Sequence, residues 1–136
     1  MEKPGGHRAA KTAKDTMRQN VGRLGERLAA RALSERGYRI LEYNYRCRLG
    51  EIDLVAEDAD DLVFVEVKTR RGDLYGLPEE AVTRAKRLKL AQVAACYLDQ
   101  HDTPDRSWRI DVVAVQFNRG GILEEIRVYR HAVSEE

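Results

Sequence analysis

The chain has 136 residues, 43% of them apolar and 35% charged, which suits one domain with a buried core. No apolar run approaches the roughly 20 residues of a membrane span, and the basic start "MEKPGGHRAAKTAKD" has no apolar secretory segment, so a cytoplasmic protein with no membrane partner is expected. The net charge of +1 is split: residues 1–50 carry twelve Lys/Arg against five Asp/Glu, and residues 51–136 carry twelve against eighteen.

A basic front half suits a polyanionic partner; a basic arm and a solvated helix face would carry the same charge. Residues 1–17 are polar and aperiodic and read as a disordered basic arm ahead of a single domain over 18–136. A helix is expected over 18–36, with Val21, Leu24, Leu28 and Ala32 at helical spacing and Gly37 as its stop. Gly22 and Gly25 each lower helix propensity by about 1 kcal/mol, so close approach to a neighbouring element is their expected use. "YRILEYNYR" reads as a strand or extended edge. "EIDLVAE" and "DLVFVEVKT" are strands joined into a hairpin by the acidic turn "DADD". "RGDLYGLPEE" is a Gly/Pro loop.

A second helix is expected to start between Pro78 and Thr83 and to run to Asp99, with Ala85, Leu88, Ala95 and Leu98 among its apolar positions. After the loop "HDTPDRS", "WRIDVVAVQF" is a strand, Asn118 to Gly121 a turn, and "ILEEIRVYRHAV" a last strand. The order α-β-β-β-α-β-β predicts an α/β fold with a mixed sheet. Cys47 and Cys96 lack metal-ligand spacing and read as reduced structural thiols, and the scattered His7, His101 and His131 give no zinc site.

The chemistry concentrates in "GEIDLVAEDADDLVFVEVKTRRG". Leu62, Phe64, Glu66 and Lys68 share one strand face, and Val63, Val65, Val67 and Thr69 the other. Both faces start apolar, as in a strand covered on two sides. If Glu57 opposes Leu62, then Val55 opposes Phe64 and Asp53 opposes Glu66. Asp53, Glu66 and Lys68 then lie on one face; a one-residue slip would send Asp53 to the other. Two adjacent carboxylates repel, and burial raises a carboxyl pKa. A hard divalent cation, Mg²⁺ or Mn²⁺, resolves that conflict and bridges to phosphate, while a neighbouring lysine holds or deprotonates an attacking water. That combination fits phosphodiester hydrolysis. An ordinary cross-strand surface cluster has the same spacing. Glu26, off its helix's apolar stripe, is either solvated or aimed at a site. Lys86 lies in a basic run with Arg84, Arg87 and Lys89, which is either a solvated helix face or, with Arg70 and Arg71, a nucleic-acid contact. Arg70 and Arg71 are placed to hold backbone phosphates. Asp111 reads as a surface or edge residue, and Glu51 as structural.

The segments "GERLAARALSERGYRILEYNYR", "GEIDLVAEDADDLVFVEVKTRRG", "PEEAVTRAKRLKLAQVAACYL" and "WRIDVVAV", in this order over about residues 21–130, resemble the YraN-like family of small bacterial proteins. The resemblance extends to the restriction-endonuclease-like superfamily, which includes archaeal Holliday-junction resolvases. It implies a mixed sheet flanked by helices and a metal-dependent endonuclease acting on DNA, with Asp53 and Glu66 as metal-binding acids and Lys68 as catalytic lysine. It makes Glu26 the helix acid near the metal and Lys86 the lysine of an "AVT..K" stretch. The superfamily's Pro-Asp step is Ile52-Asp53 here. A homodimer is a further expectation. The competing expectation is a nucleic-acid-binding or assembly module that keeps the fold without the chemistry.

Overall fold

Leu62, Val63, Phe64 and Val65 are each no more than 1% exposed, so the strand that carries them is covered on both faces. The structure is a computed structural model that describes residues 12–72 and 84–133. Its elements are α1 (Ala13–Glu35), β1 (Arg39–Cys47), β2 (Gly50–Asp58), β3 (Asp61–Arg71), α2 (Arg84–Gln100), β4 (Trp108–Phe117) and β5 (Leu123–Val133). The five strands form one sheet in the order β1-β2-β3-β4-β5. Only β3 and β4 are parallel, and a parallel pair requires a crossover, which α2 supplies. The element order and the mixed α/β sheet are those expected. No helix among the described residues is long and apolar enough to cross a membrane.

The two helices cover opposite faces. Leu90, Val93, Ala94, Tyr97 and Leu98 of α2 pack with Tyr45, Val55, Leu62, Phe64, Ile110 and Val112. Ala29, Ala30 and Leu33 of α1 pack with Leu54, Val63, Val65, Val113 and Phe117. At about 25 cal/mol for each Å² of apolar surface buried, Phe64 or Leu62 alone stabilises the fold by about 2 kcal/mol. The α2 stripe expected from Ala85, Leu88 and Ala95 is displaced: all three are exposed, and of the named positions only Leu98 is buried. The start of this helix between Pro78 and Thr83 lies outside the described residues.

Helix α1 begins at Ala13, five residues ahead of the expected Arg18; residues 1–11 of the expected arm lie outside the described residues. Its stripe is Gly25, Ala29 and Leu33, whereas Leu24 is 45% exposed. A Cβ on Gly25 would lie 2.0 Å from Thr69 Oγ1, so the glycine lets α1 lie directly on β3. Gly22 meets nothing within 4 Å and has no such role. At the other end Gly37 takes φ +96°. The Tyr38 and Gly37 amides bond back to the Leu33 and Ser34 carbonyls, a Schellman closure that seats Tyr38 on Leu33.

Asp111 is a correction. It is fully buried, not at the surface, and belongs to a clamp at the start of β3 and β4. Arg109 Nε donates to Asp111 Oδ1 at 2.9 Å, Nη1 to Asp61 Oδ2 at 3.0 Å and Nη2 to Asp58 Oδ2 at 2.7 Å. The Tyr38 hydroxyl donates to Asp111 Oδ2 at 2.8 Å. The clamp ties the β2–β3 turn to β4 and to the end of α1. Every charge in it is paired, which is the condition for tolerating buried ions.

Candidate active site

Strand pairing follows the expected register, with Glu57 opposite Leu62 and Val55 opposite Phe64. The ladder closes one pair tighter at the turn, at Asp58–Asp61, and stops at Leu54–Val65. The expected Asp53–Glu66 pair does not form as a ladder pair. Asp53 Oδ2 instead accepts the Val67 amide at 2.8 Å. Alternation breaks at the same point: Ile52 packs with Val55 on the α2 side, while Leu54 faces α1. The break leaves the Asp53 carboxylate at the mouth of the β2–β3 seam, beside Glu66.

Glu66 follows Leu62 and Phe64 on the α2 face and is 7% exposed. Lys86 of α2 reaches across to it, with Nζ 2.7 Å from Oε2. Lys68 Nζ lies 3.9 Å from the same oxygen, beyond hydrogen-bond range. The two lysines, 18 positions apart in sequence, therefore flank one carboxylate. Burial would lower the Lys86 pKa, but the Glu66 hydrogen bond and charge, aided by Asp53, hold it above its ordinary value.

The acids crowd one another. Burial, then the Glu66 charge, raise Asp53 to about 7; the Val67 amide opposes this, and Glu26 and Glu51 add to it. Glu26 is also raised, chiefly by burial and further by Glu51 and Glu66, against a hydrogen bond from Asn44. Glu26 thus senses the cluster from α1. Glu51, read as structural, pairs with Arg46 at 3.0 Å and still adds negative charge here. Asn44 was missed by sequence reasoning. Its signal is an asparagine inside a strand pattern, and it holds φ +53°, a conformation that Asn tolerates better than most residues.

Arg70 follows Lys68 on the same face and is partly exposed. Arg71 points elsewhere: its Nε and Nη2 donate to the Arg119 carbonyl at 3.1 and 2.9 Å and secure the β4–β5 turn. Among the described residues no group of three or more His, Cys, Asp and Glu is close enough to hold a metal ion by itself. Asp53 and Glu66 offer two hard carboxylate donors whose mutual repulsion a cation would relieve. That set fits Mg²⁺ or Mn²⁺, which bind through one or two carboxylates and retain water for the remaining positions.

Residues 25–115 match a family model described as "Uncharacterised protein family UPF0102", a span that includes Glu26, Asp53, Glu66, Lys68, Arg70, Arg71 and Lys86. A UPF0102 protein of Syntrophus aciditrophicus is 49% identical over 112 residues, which is 81% of this chain and 88% of that protein. One from Moorella thermoacetica is 46% identical over 115 residues, covering 85% and 96%. One from Clavibacter michiganensis subsp. michiganensis is 53% identical over 108 residues, covering 78% and 90%.

Proposed function

The chain belongs to the uncharacterised protein family UPF0102, and within it we propose the function of a metal-dependent nuclease that hydrolyses DNA phosphodiester bonds, branched Holliday-type structures included. The observation that carries this reading is the crowding of Asp53 against Glu66 beside Lys68, with Asp53 raised to about 7. Perturbed acids with a charged partner at a strand end are a mark of functional sites. The mixed sheet between two helices supports the restriction-endonuclease-like relationship.

Asp53 and Glu66 would hold Mg²⁺ or Mn²⁺, which supplies Lewis-acid activation and charge neutralisation at phosphorus. Lys68, held loosely by Glu66, has an ammonium available to orient the attacking water and to offset charge on the phosphoryl oxygens. Glu26 adds negative charge on the α1 side and biases the site toward cations. Lys86 fixes the Glu66 carboxylate. Arg70, on the Lys68 face, would engage the nucleic-acid backbone, and the basic residues 1–50 extend that attraction.

The test separates rate from affinity. Lys68→Ala should lose single-turnover cleavage while DNA affinity changes less than threefold, because one phosphate-type charge is a small part of a many-contact interface. Lys68→Arg should fail as well, since a planar guanidinium cannot place its charge where the compact ammonium does. Cleavage by Lys68→Ala at the wild-type rate removes the catalytic role. A second reading, a nucleic-acid-binding module without chemistry, is favoured by one observation: Lys86 is already bound to Glu66 at 2.7 Å. Absence of cleavage by the wild type with either metal, together with salt-sensitive DNA binding, selects it.

A further inference from the structure

Cys47 and Cys96 lie 49 positions apart in sequence but both adjoin Tyr45, Cys47 two residues along β1 and Cys96 across from it on α2. Cys47 ends β1, and Cys96 sits on α2 over the same face of the sheet. The Tyr45 hydroxyl, which donates to Gln100 Oε1 at 2.6 Å, is 3.5 Å from Cys96 Sγ. Gln100 Nε2 is 3.7 Å from the same sulfur. On the other side the Leu49 amide donates to Cys47 Sγ at 3.4 Å. Cys47 opposes Gly50 in the β1–β2 ladder, and Gly50 lies against Val93, one turn before Cys96 on α2. Both are free and partly exposed.

We propose that Cys47 and Cys96 form a redox-active thiol pair that a peroxide converts to an intramolecular disulfide. Cys47 is the attacking sulfur. Burial works against its thiolate, but the Leu49 and Gly50 amides, the Cys96 thiol and Arg48 outweigh it and lower its pKa. Thiolate character of this kind governs reactivity. The Cys47 thiolate attacks a peroxide oxygen; the O–O bond breaks, and sulfenic acid and hydroxide form. The Cys96 thiol then attacks the sulfenic sulfur. Its proton leaves with the sulfenic oxygen as water, and the S–S bond closes. Two thiols have then lost two electrons to one peroxide, which ends as two waters. The bond staples α2 to the end of β1. It requires neither the metal site nor nucleolytic activity, so it stands or falls apart from the proposed function.

The test uses the full chain, reduced and then exposed to a small molar excess of hydrogen peroxide under native conditions. Intact mass should fall by about 2 Da, as loss of two hydrogens requires. Peptide mapping should link Cys47 to Cys96, and dithiothreitol should reverse both changes. The staple should raise the melting temperature by about 5–10 °C. Cys96→Ser should accumulate a Cys47 sulfenic acid trappable by dimedone, whereas Cys47→Ser should give no such adduct. Only sulfinic or sulfonic acid at Cys47, only intermolecular dimers, or a link that forms only after denaturation would each overturn the proposal.

Discussion

Replacing Asp53 by asparagine tests the electrostatics of the site without removing its packing. An asparagine oxygen can still accept the Val67 amide that Asp53 Oδ2 takes at 2.8 Å. The carboxyl is raised from its ordinary 3.8 to about 7, first by burial and next by Glu66. At about 1.4 kcal/mol for each tenfold change, that corresponds to at most about 4 kcal/mol. The sign follows from proton linkage. Between about pH 4 and pH 7 the folded chain keeps a proton that the unfolded chain has released, so stability falls as pH rises. Below pH 4 both states are protonated and nothing is lost; above pH 7 the whole term has been lost. Asp53→Asn escapes the loss but accepts the amide less strongly, so it should be about 2–3 kcal/mol more stable than wild type at pH 8 in chelator. That gap corresponds to roughly 6–12 °C in melting temperature. It should shrink steadily toward pH 4. Saturating Mg²⁺ should raise the wild type at pH 8 and leave the variant unmoved. Melting curves of both proteins from pH 4 to pH 9, with EDTA and with Mg²⁺, supply the comparison. A variant equal to or less stable than wild type at pH 8 in EDTA would refute the crowding of Asp53 and Glu66.

The rest of the fold supplies further expectations. Gly25→Ala drives a methyl into Thr69, where rotating the hydroxyl away still leaves Cβ at 3.1 Å. It should cost about 1–3 kcal/mol in urea unfolding, whereas Gly22→Ala, in open space, should stabilise by up to about 1 kcal/mol. Arg109→Ala leaves Asp111 buried without its cation and should cost about 3–5 kcal/mol by the same assay; a loss below about 1 kcal/mol would mean the clamp is dispensable. Deleting residues 1–12 removes Lys3, Arg8 and Lys11, and the slope of log K against log salt for DNA should become shallower by about 0.9 for each phosphate that the shortened chain no longer neutralises. An unchanged slope would take those residues out of the interface.

Much of the architecture was legible because period and punctuation agree. Four apolar residues in a row required a strand covered twice, and Gly37 stopped α1 where φ is positive. The parity of the hairpin register was legible because a one-residue slip would send Val55 and Phe64 to opposite faces. What escaped depends on tertiary contact. The face of α2 could not be chosen among Ala85, Leu88 and Ala95 on one side and Leu90, Val93 and Tyr97 on the other, since both sets recur at helical spacing. Asp111 resembled a surface acid because its partner Arg109 is two residues away, and alternation cannot say whether that pair faces water or the underside of α1. At the candidate site, Asp53, Glu66 and Lys68 could be grouped by register. The Lys86–Glu66 contact and the Val67 amide on Asp53 come from a crossover helix and from a break in the ladder, neither of which sequence spacing encodes. The two cysteines likewise share one region only through the packing of α2 over β1.

The most direct measurement of the central claim is single-turnover cleavage by the purified full chain of single-stranded, duplex and four-way DNA, with Mg²⁺, with Mn²⁺ and with EDTA. The account predicts metal-dependent product from at least one of these DNAs. Asp53→Asn and Glu66→Gln should reduce that rate by more than a hundredfold, at about 1.4 kcal/mol for each tenfold. No product from the wild type under either metal, or product that persists at the same rate in both variants, would contradict it.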